Sequence, residues 1–237
     1  MLDLAADCHK ATTILDSFRT EHGIIIPDAI LKNAKGVAVL SVIKAGLGLS
    51  GRHGTGVVVA RLADGSWSAP SAIVTTGFGV GHQLGAQLTD FVIVLNTDEA
   101  VASFTKPHNF TAGANLSIAA GPFGASVEAG GQINSEAAAP IYSYSRSQGL
   151  FAGASMEFGA ISERKEVNAQ AYGIDISAQQ ILEGFVPRPE YAMELYLALD
   201  MTVTPHEKES VPLAFKKEDE EEEQDVPLAK KGGAPSA

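Results

Sequence analysis

The stretch that decides the fold reads GVAVLSVIKAGLGLSGRHGTGVVVARLADGSW over residues 36–67. Val37, Val39 and the run 57–59 are β-branched residues bounded by glycines, a pattern that is typical of strands. Asp64 and Gly65 lie between apolar runs and predict a hairpin turn, because this pair tolerates the positive backbone angles of tight turns. From residue 36 onward we therefore predict strands joined by turns.

Short apolar or β-branched runs predict further strands at residues 91–95, 141–144 and 167–174. Between the first two of these runs, residues 98–104 predict an inserted helix, which Thr97 or Asp98 caps. Two closing helices are predicted at residues 177–182 and 189–199.

The first 35 residues predict helices. One apolar stripe recurs at spacings of three and four, and its members are Leu4, Cys8, Ala11, Ile14, Leu15 and Phe18. We expect Gly23 to end this helix and Pro27 to open a short second one. A packed amphipathic helix explains the stripe better than a membrane-surface helix, which normally has a polar face rich in Lys and Arg.

The order of elements indicates an α+β fold with a mostly antiparallel, strongly bent, Gly-rich sheet, roll-like or barrel-like, and with N- and C-terminal helices. The chain has 24 glycines, and the alternation of Gly77, Gly79 and Gly81 permits sharp bending of a strand. A dinucleotide-binding loop is the alternative for these glycines. That fingerprint fails because the sixth position counted from Gly79 is Leu84.

One domain is predicted over residues 1–204. It comprises a helical part at 1–35, mainly strands at 36–175 and closing helices at 176–200. Residues 205–237 are charged and nearly free of aromatic side chains, so they cannot bury enough apolar area to offset their ordering entropy. We predict a disordered acidic tail there.

Composition excludes several classes of protein. A formal net charge of −11 argues against general nucleic-acid binding, which needs a dense cationic surface. The single cysteine, Cys8, excludes an internal disulfide framework and a multi-cysteine zinc site. No uninterrupted apolar run reaches the roughly 18 residues of a membrane span, and Met1–Leu4 does not resemble the start of a signal peptide. We expect a cytoplasmic protein, peripheral at a membrane or at cortical actin.

Signatures of catalysis are missing from the sequence. No Gly-x-Ser-x-Gly elbow and no His-x-x-x-His pair is present, so we expect no enzyme, no cofactor and no metal. A hydrolase with an unrecognised site is an alternative, and Asp90 with His82 or Gln83 are its candidate residues. Glu157 and Glu163 would form an acid/base pair only if the fold happened to bring them together.

Five cations form an acid-free segment between Ala29 and Ala63. They are Lys32, Lys35, Lys44, Arg52 and Arg61, with His53 among them and no Asp or Glu. On one face they would attract anionic head groups or an acidic protein surface, and beside glycine-exposed amides they would suit a phosphate. The alternative is that they are ordinary solvated residues that face neighbouring acids.

Several motifs resemble the SYLF domain family. They include Lys35-Gly36-Val37, Ser50-Gly51-Arg52, the run from Asp64 to Ile73, Thr89-Asp90-Phe91-Val92 and the run from Tyr142 to Phe151. The resemblance covers about residues 8–200. It implies an adaptor without enzymatic activity, since the family includes yeast actin-patch proteins that bind a WASP-type activator and animal proteins that bind phosphoinositides.

This chain departs from many members of that family at both ends. Its first residues are acidic where eukaryotic members often have a basic amphipathic extension, and an acidic tail stands where many have an SH3 domain. We therefore predict a non-catalytic adaptor that binds phosphoinositides or other anionic lipids through the five cations and links membrane to actin, as in endocytosis. The first alternative is an actin-filament-binding protein without direct lipid binding.

Overall fold

The computed structural model describes residues 3–20, 26–106, 109–121, 123–132 and 141–200. The helices are α1 (Leu4–Thr20), α2 (Asp28–Lys32), α3 (Asp98–Ser103), α4 (Lys165–Tyr172), α5 (Ala178–Leu182) and α6 (Met193–Asp200), which a 3₁₀ turn at Glu190–Ala192 precedes. The strands are β1 (Gly36–Ala60), β2 (Ser71–Leu95), β3 (Asn109–Gly121), β4 (Phe123–Gln132) and β5 (Ile141–Glu163).

The strands form one sheet of order β1-β2-β5-β3-β4. Every pairing in it is antiparallel. In the described strands β4 pairs with β3 alone, so the sheet has an open edge and is not closed into a barrel. The α+β class, the antiparallel sheet and the N- and C-terminal helices are confirmed.

Strand β1 folds back on itself at Gly48, whose φ of +71° is the left-handed conformation that favours glycine. The backbone N–H of Arg61 donates to the Lys35 carbonyl at 2.7 Å, and a Cβ at Gly56 would lie 1.9 Å from the Val39 carbonyl oxygen. The two halves of β1 therefore lie side by side. Their close approach explains why glycines recur in this strand.

Strand β2 encloses the folded β1. Residues 36–47 pair with residues 84–95, whereas residues 49–58 pair with residues 71–80. Strand β5 in turn follows β2 along its whole length, from Ile73 opposite Glu163 to Leu95 opposite Ile141. The far end of these strands, around Gly48 and residues 81–83, is called the tip of the sheet below.

The helices pack on the opposite end of the strands and close the core. All six members of the apolar stripe of α1 are buried, as predicted, and they form one cluster with Val37, Val57 and Leu195. Trp67 belongs to the same cluster, and its indole Nε1 donates to Asp200 Oδ1 at 2.9 Å. None of the helices in the described ranges is long and apolar enough to cross a bilayer.

The predicted turn at Gly65 and the predicted cap at Thr97 are confirmed, whereas the predicted strand at residues 167–174 is wrong. Gly65 has φ +84° in the predicted turn, and Thr97 Oγ1 accepts the Ala100 N–H at 3.1 Å as the cap of α3. Residues 167–174, predicted as a strand, are mostly helix α4. Asn168 of α4 explains the difference, because its buried Oδ1 accepts the Ala72 N–H at 2.8 Å and docks the helix on β2.

Two predictions lie outside the described residues. They are the helix stop at Gly23 and the disordered tail at 205–237, and both stay predictions.

Candidate functional site

A buried ion pair lies inside the tip. The Nζ atom of Lys44 on β1 is 2.7 Å from Oε1 of Glu157 on β5, and the two side chains are 6% and 2% exposed. The same Nζ donates to Ser155 Oγ at 3.1 Å, and Ser155 Oγ donates to Glu157 Oε1. The ammonium also lies 4.7 Å from the centre of the Phe151 ring.

Further polar side chains continue this interior. Thr89 and Ser147 share a hydrogen bond of 2.8 Å, and Gln83 Nε2 donates to the Gly79 carbonyl at 2.9 Å and to the Gly48 carbonyl at 3.2 Å. Gln83 therefore ties the bend of β2 to the fold-back of β1. Within the described part of the chain, Ser50 Oγ, Gln83 Oε1 and Glu157 Oε2 are buried without a hydrogen-bond partner.

The outer side of the tip is apolar. We define the apolar tip face as the exposed side chains that alternate with the polar interior along three strands: Ile43, Leu47, Leu49, Phe78, Val80, Leu84, Leu150, Met156 and Phe158. Leu47 is 76% exposed and Leu150 is 77% exposed. The rings of Phe78 and Phe158 stack with centroids 5.4 Å apart.

Strand β3 pairs with β5 along this part of the sheet. The positions that pair with Leu150, Ala152 and Ala154 are Ala120, Ile118 and Leu116. Soluble sheets normally place apolar residues inside and polar residues outside, so the tip has the inverse arrangement.

The structure does not bring the five predicted cations together. Lys44 is enclosed with Glu157 in the tip, and the half-buried Arg52 lies against Gly77 and Gly159. Lys32 and Lys35 are exposed at the other end of β1. Arg61 lies at that end too, where its guanidinium stacks 3.6 Å from the centre of the Trp67 ring and is 3.4 Å from Asp200 Oδ1.

Lys35 and Arg61 line an open pocket of about 580 Å³. Lys106 contributes a third cation to its wall, while Asp98 and Glu183 contribute carboxylates. The pocket lies between the start of β1, α3 and α5. Three cations and two carboxylates give its wall a small excess of positive charge, which favours an anionic ligand over a neutral one.

The candidate acids of the hydrolase alternative lie on different parts of the sheet, and each carboxylate already has a hydrogen-bond or ion-pair partner. Asp90 accepts a hydrogen bond of 2.6 Å from Ser41 Oγ. Glu163 accepts the Ala178 N–H at the start of α5, and Glu157 is paired with Lys44. Across the described ranges no group of three His, Cys, Asp or Glu side chains is placed to hold a metal ion.

Shifted pKa values concentrate in the helical layer. Burial raises the pKa of the Cys8 thiol to about 12, and the nearby carboxylates of Asp7 and Asp3 add to the effect. Burial also raises the pKa of Asp7, although the Arg164 guanidinium that pairs with it acts in the opposite direction. These groups support the packing of α1 and α4 and lie apart from the pocket.

Comparison with known proteins gives the family. A family model described as Ysc84, Las17-binding protein actin regulator, matches residues 76–202. The chain belongs to this family. The SYLF assignment made from the motifs is thereby confirmed.

Relatives of this Ysc84-family chain come from fungi and animals. An SH3 domain-containing protein of Schizosaccharomyces pombe is 48% identical over 84% of this chain and 48% of the relative. LAS seventeen-binding protein 3 of Saccharomyces cerevisiae is 45% identical over 83% of this chain and 44% of the relative. SH3 domain-containing YSC84-like protein 1 of Homo sapiens is 45% identical over 87% of this chain and 61% of the relative.

The chain spans about half to three fifths of the length of these relatives. No solved structure matches it.

Sequence reasoning missed the tip of this Ysc84-family domain. The available signal was the period of two in Leu47-x-Leu49 and in Phe78-x-Val80, each flanked by glycines. Alternation by itself does not say which side faces solvent. The buried partner of Lys44, Glu157, lies on a different strand, and only the pairing of β5 with β2 brings it near.

Proposed function

We propose that this protein is a non-catalytic adaptor that links anionic membrane to the actin cytoskeleton. The observation that carries the proposal is membership of a family described as Las17-binding actin regulators. The yeast relative is named for binding Las17. By that kinship a WASP-type activator is the protein partner that we propose for this chain, at cortical actin or a peripheral membrane site.

The lipid part of the proposal rests on the cations that remain accessible. Lys32 and Lys35 are exposed, and Lys35 shares the pocket with Arg61 and Lys106. A phosphoinositide head group would receive charge-assisted hydrogen bonds from such donors. Lys44 and Arg52, which the sequence also marks for head-group binding, are buried and half-buried in the sheet, so the proposal rests on the other cations.

A flotation experiment tests the lipid part. The full chain is mixed with vesicles of phosphatidylcholine with and without a phosphoinositide, over a series of salt concentrations. We expect binding that needs the phosphoinositide and weakens steeply with salt, because exposed charges are screened within about 10 Å at 0.1 M salt. The variant Lys32→Glu/Lys35→Glu should lose this binding at least tenfold.

The matched control is Lys10→Glu, which reverses an exposed lysine on α1. It should bind as the unmodified protein does. Equal phosphoinositide-dependent binding by the double variant and the control would reject the pocket end as the head-group site.

Actin-filament binding without a lipid role is the second candidate, favoured by the family description as actin regulators. Co-sedimentation with filaments in lipid-free buffer separates the two. Filament binding together with no flotation at low salt would select this candidate.

A further inference from the structure

The tip of the sheet is built inside out. Along β1, β2 and β5 the interior positions carry Lys44, Gln83, Ser155 and Glu157, and the alternate positions carry the apolar tip face. Among the outward positions of 43–53, 76–88 and 148–160, none is Asp, Glu, Lys or Arg. His53 and His82 are the ionisable residues there, and imidazole is charged only when it is protonated.

The two buried charges of the tip, Lys44 and Glu157, neutralise each other, whereas Arg52 is a further, half-buried cation that lies against Gly77 and Gly159. Lys44 and Glu157 pair at 2.7 Å beneath the apolar tip face. Burying an ion pair gives little net stability in water compared with apolar residues of similar size. An arrangement that places apolar side chains in solvent and an ion pair inside is favourable when the surroundings of the tip are themselves apolar.

The backbone of the tip is suited to such surroundings. The first half of β1 lies between the second half of β1 and β2. Strand β2 in turn lies between β1 and β5. Peptide groups that pair on both sides do not need water, so the nested part of this sheet can enter hydrocarbon, whereas its open edge at β4 cannot.

The height of the apolar tip face matches half a bilayer. From Ile43 to Gly48, and from Thr76 to His82, the strands advance about 15–20 Å at about 3.3 Å per residue. The hydrocarbon of one leaflet is about 15 Å thick, half of a core of about 30 Å. At the upper boundary the exposed residues become polar, with His53 paired to Thr76 and with Gln148 on β5.

From these observations we infer that the apolar tip face inserts into the hydrocarbon of one leaflet of a lipid bilayer, with the polar boundary at the level of the head groups. A protein partner would normally meet hydrogen-bonding groups within the patch, at about one hydrogen bond per 100–200 Å² of interface. The nine side chains of the apolar tip face are all aliphatic, Phe or Met and offer no hydrogen-bond donor.

This inference deepens the lipid part of the proposed function but depends on a different surface. The exposed cations Lys32 and Lys35 lie at the other end of β1 from Gly48. Insertion of the tip is driven by apolar contact, so it should resist salt and should not need an anionic lipid. Binding at the pocket should have the opposite properties.

The first test uses flotation of the full chain with pure phosphatidylcholine vesicles at 0.5 M salt. We expect binding, and we expect the variant Leu47→Glu/Leu150→Glu to lose it at least tenfold, because charged side chains are costly in hydrocarbon. Both positions are highly exposed, so the substitutions should leave the fold intact, which circular dichroism and the melting temperature check.

The matched control is Phe185→Glu/Leu197→Glu, which places the same charges on exposed apolar residues near the closing helices. It should bind as the unmodified protein does. Lys32→Glu/Lys35→Glu should also keep this salt-resistant binding, so failure of the pocket and failure of the tip give different results. Unchanged binding by Leu47→Glu/Leu150→Glu, or no binding by the unmodified protein, would overturn the inference.

A second test measures depth directly. The natural Cys8 is buried and its thiol has a pKa of about 12, so an environment-sensitive dye can be attached selectively to Leu84→Cys, with Leu197→Cys as the control. We expect a blue shift and quenching by lipid-borne nitroxide at residue 84 only.

Other results of these tests contradict insertion. A blue-shifted dye at residue 84 in the absence of vesicles would mean that another part of the chain covers the face. A dimer in light scattering that dissociates in Leu47→Glu/Leu150→Glu, without vesicle binding, would assign the face to self-association.

Discussion

At the scale of single residues, Lys44 is the position whose surroundings decide its role. Its ammonium is held by Glu157 and Ser155 and covered by the Phe151 ring. Removal of one partner of a buried pair leaves the other charge uncompensated, and this typically costs about 3–5 kcal/mol.

We therefore expect Lys44→Met to lower the free energy of unfolding by about 3–5 kcal/mol, measured by urea denaturation. Adding Glu157→Gln should restore part of the loss, because the uncompensated carboxylate is then removed. The control is Lys165→Met, which removes the exposed lysine 3.6 Å from Glu163. It should cost less than about 1 kcal/mol, because Glu163 keeps the hydrogen bond from the Ala178 N–H. Equal losses in Lys44→Met and Lys165→Met would contradict the buried-pair interpretation.

The roles of the five cations could be only partly predicted from sequence. Lys32 and Lys35 of the acid-free segment are exposed, as head-group contacts must be. It misleads for Lys44, because the acid that matches this lysine lies on β5 and is absent from the local sequence. Counting charges along a segment does not reveal an acid that is distant in sequence and that strand pairing brings close.

At the scale of elements, the fold-back of β1 depends on the absence of side chains. A Cβ at Gly56 would lie 1.9 Å from the Val39 carbonyl oxygen and 2.8 Å from Leu40 Cα, both of them backbone atoms. A Cβ at Gly51 in the same strand would have no heavy atom within 4 Å. The two glycines therefore differ in what they do, although both lie in β1.

We expect Gly56→Ala to destabilise the protein by about 1–3 kcal/mol, because a backbone shift is needed to admit the methyl group. Gly51→Ala should change the free energy of unfolding by less than about 0.5 kcal/mol, as surface substitutions usually do. Thermal and urea unfolding of both variants give the comparison. A neutral Gly56→Ala would mean that the two halves of β1 are farther apart than described.

Elements with a strong local pattern were predictable, and those decided by packing were not. The apolar stripe of α1 has a clear helical period, and all of its members are buried. Residues 167–174 contain Val and Ile, which favour strands. Docking through Asn168 onto Ala72 and Ser71 outweighs that preference and gives the helix α4.

At the scale of the whole molecule, the two ends of the sheet have different surroundings. The helical end contains the core and the single tryptophan of the chain, Trp67, which is 1% exposed. The tip contains the polar interior and the apolar tip face. Trp67 is therefore a natural reporter of the helical end alone.

We expect the change in Trp67 fluorescence on urea unfolding to coincide with the loss of far-ultraviolet circular dichroism, because the core joins α1 and α6 to β1 and β2 in one cooperative unit. Addition of phosphatidylcholine vesicles should leave the Trp67 emission unchanged, since insertion at the tip does not alter its surroundings. Two separate unfolding transitions, or an emission shift with vesicles, would contradict this division.

The nesting of β1 within β2 and of β2 within β5 has a consequence for how the chain folds. The halves of β1 meet across a short loop, whereas β5 brings together residues as distant as Ile73 and Glu163. Since closing long loops costs more entropy before any contact repays it, we expect assembly from the innermost strand outward. During synthesis β1 and β2 leave the ribosome before β5, so the outer edge of β2 is unpaired until β5 has been made. In this interval the edge can pair with a wrong strand.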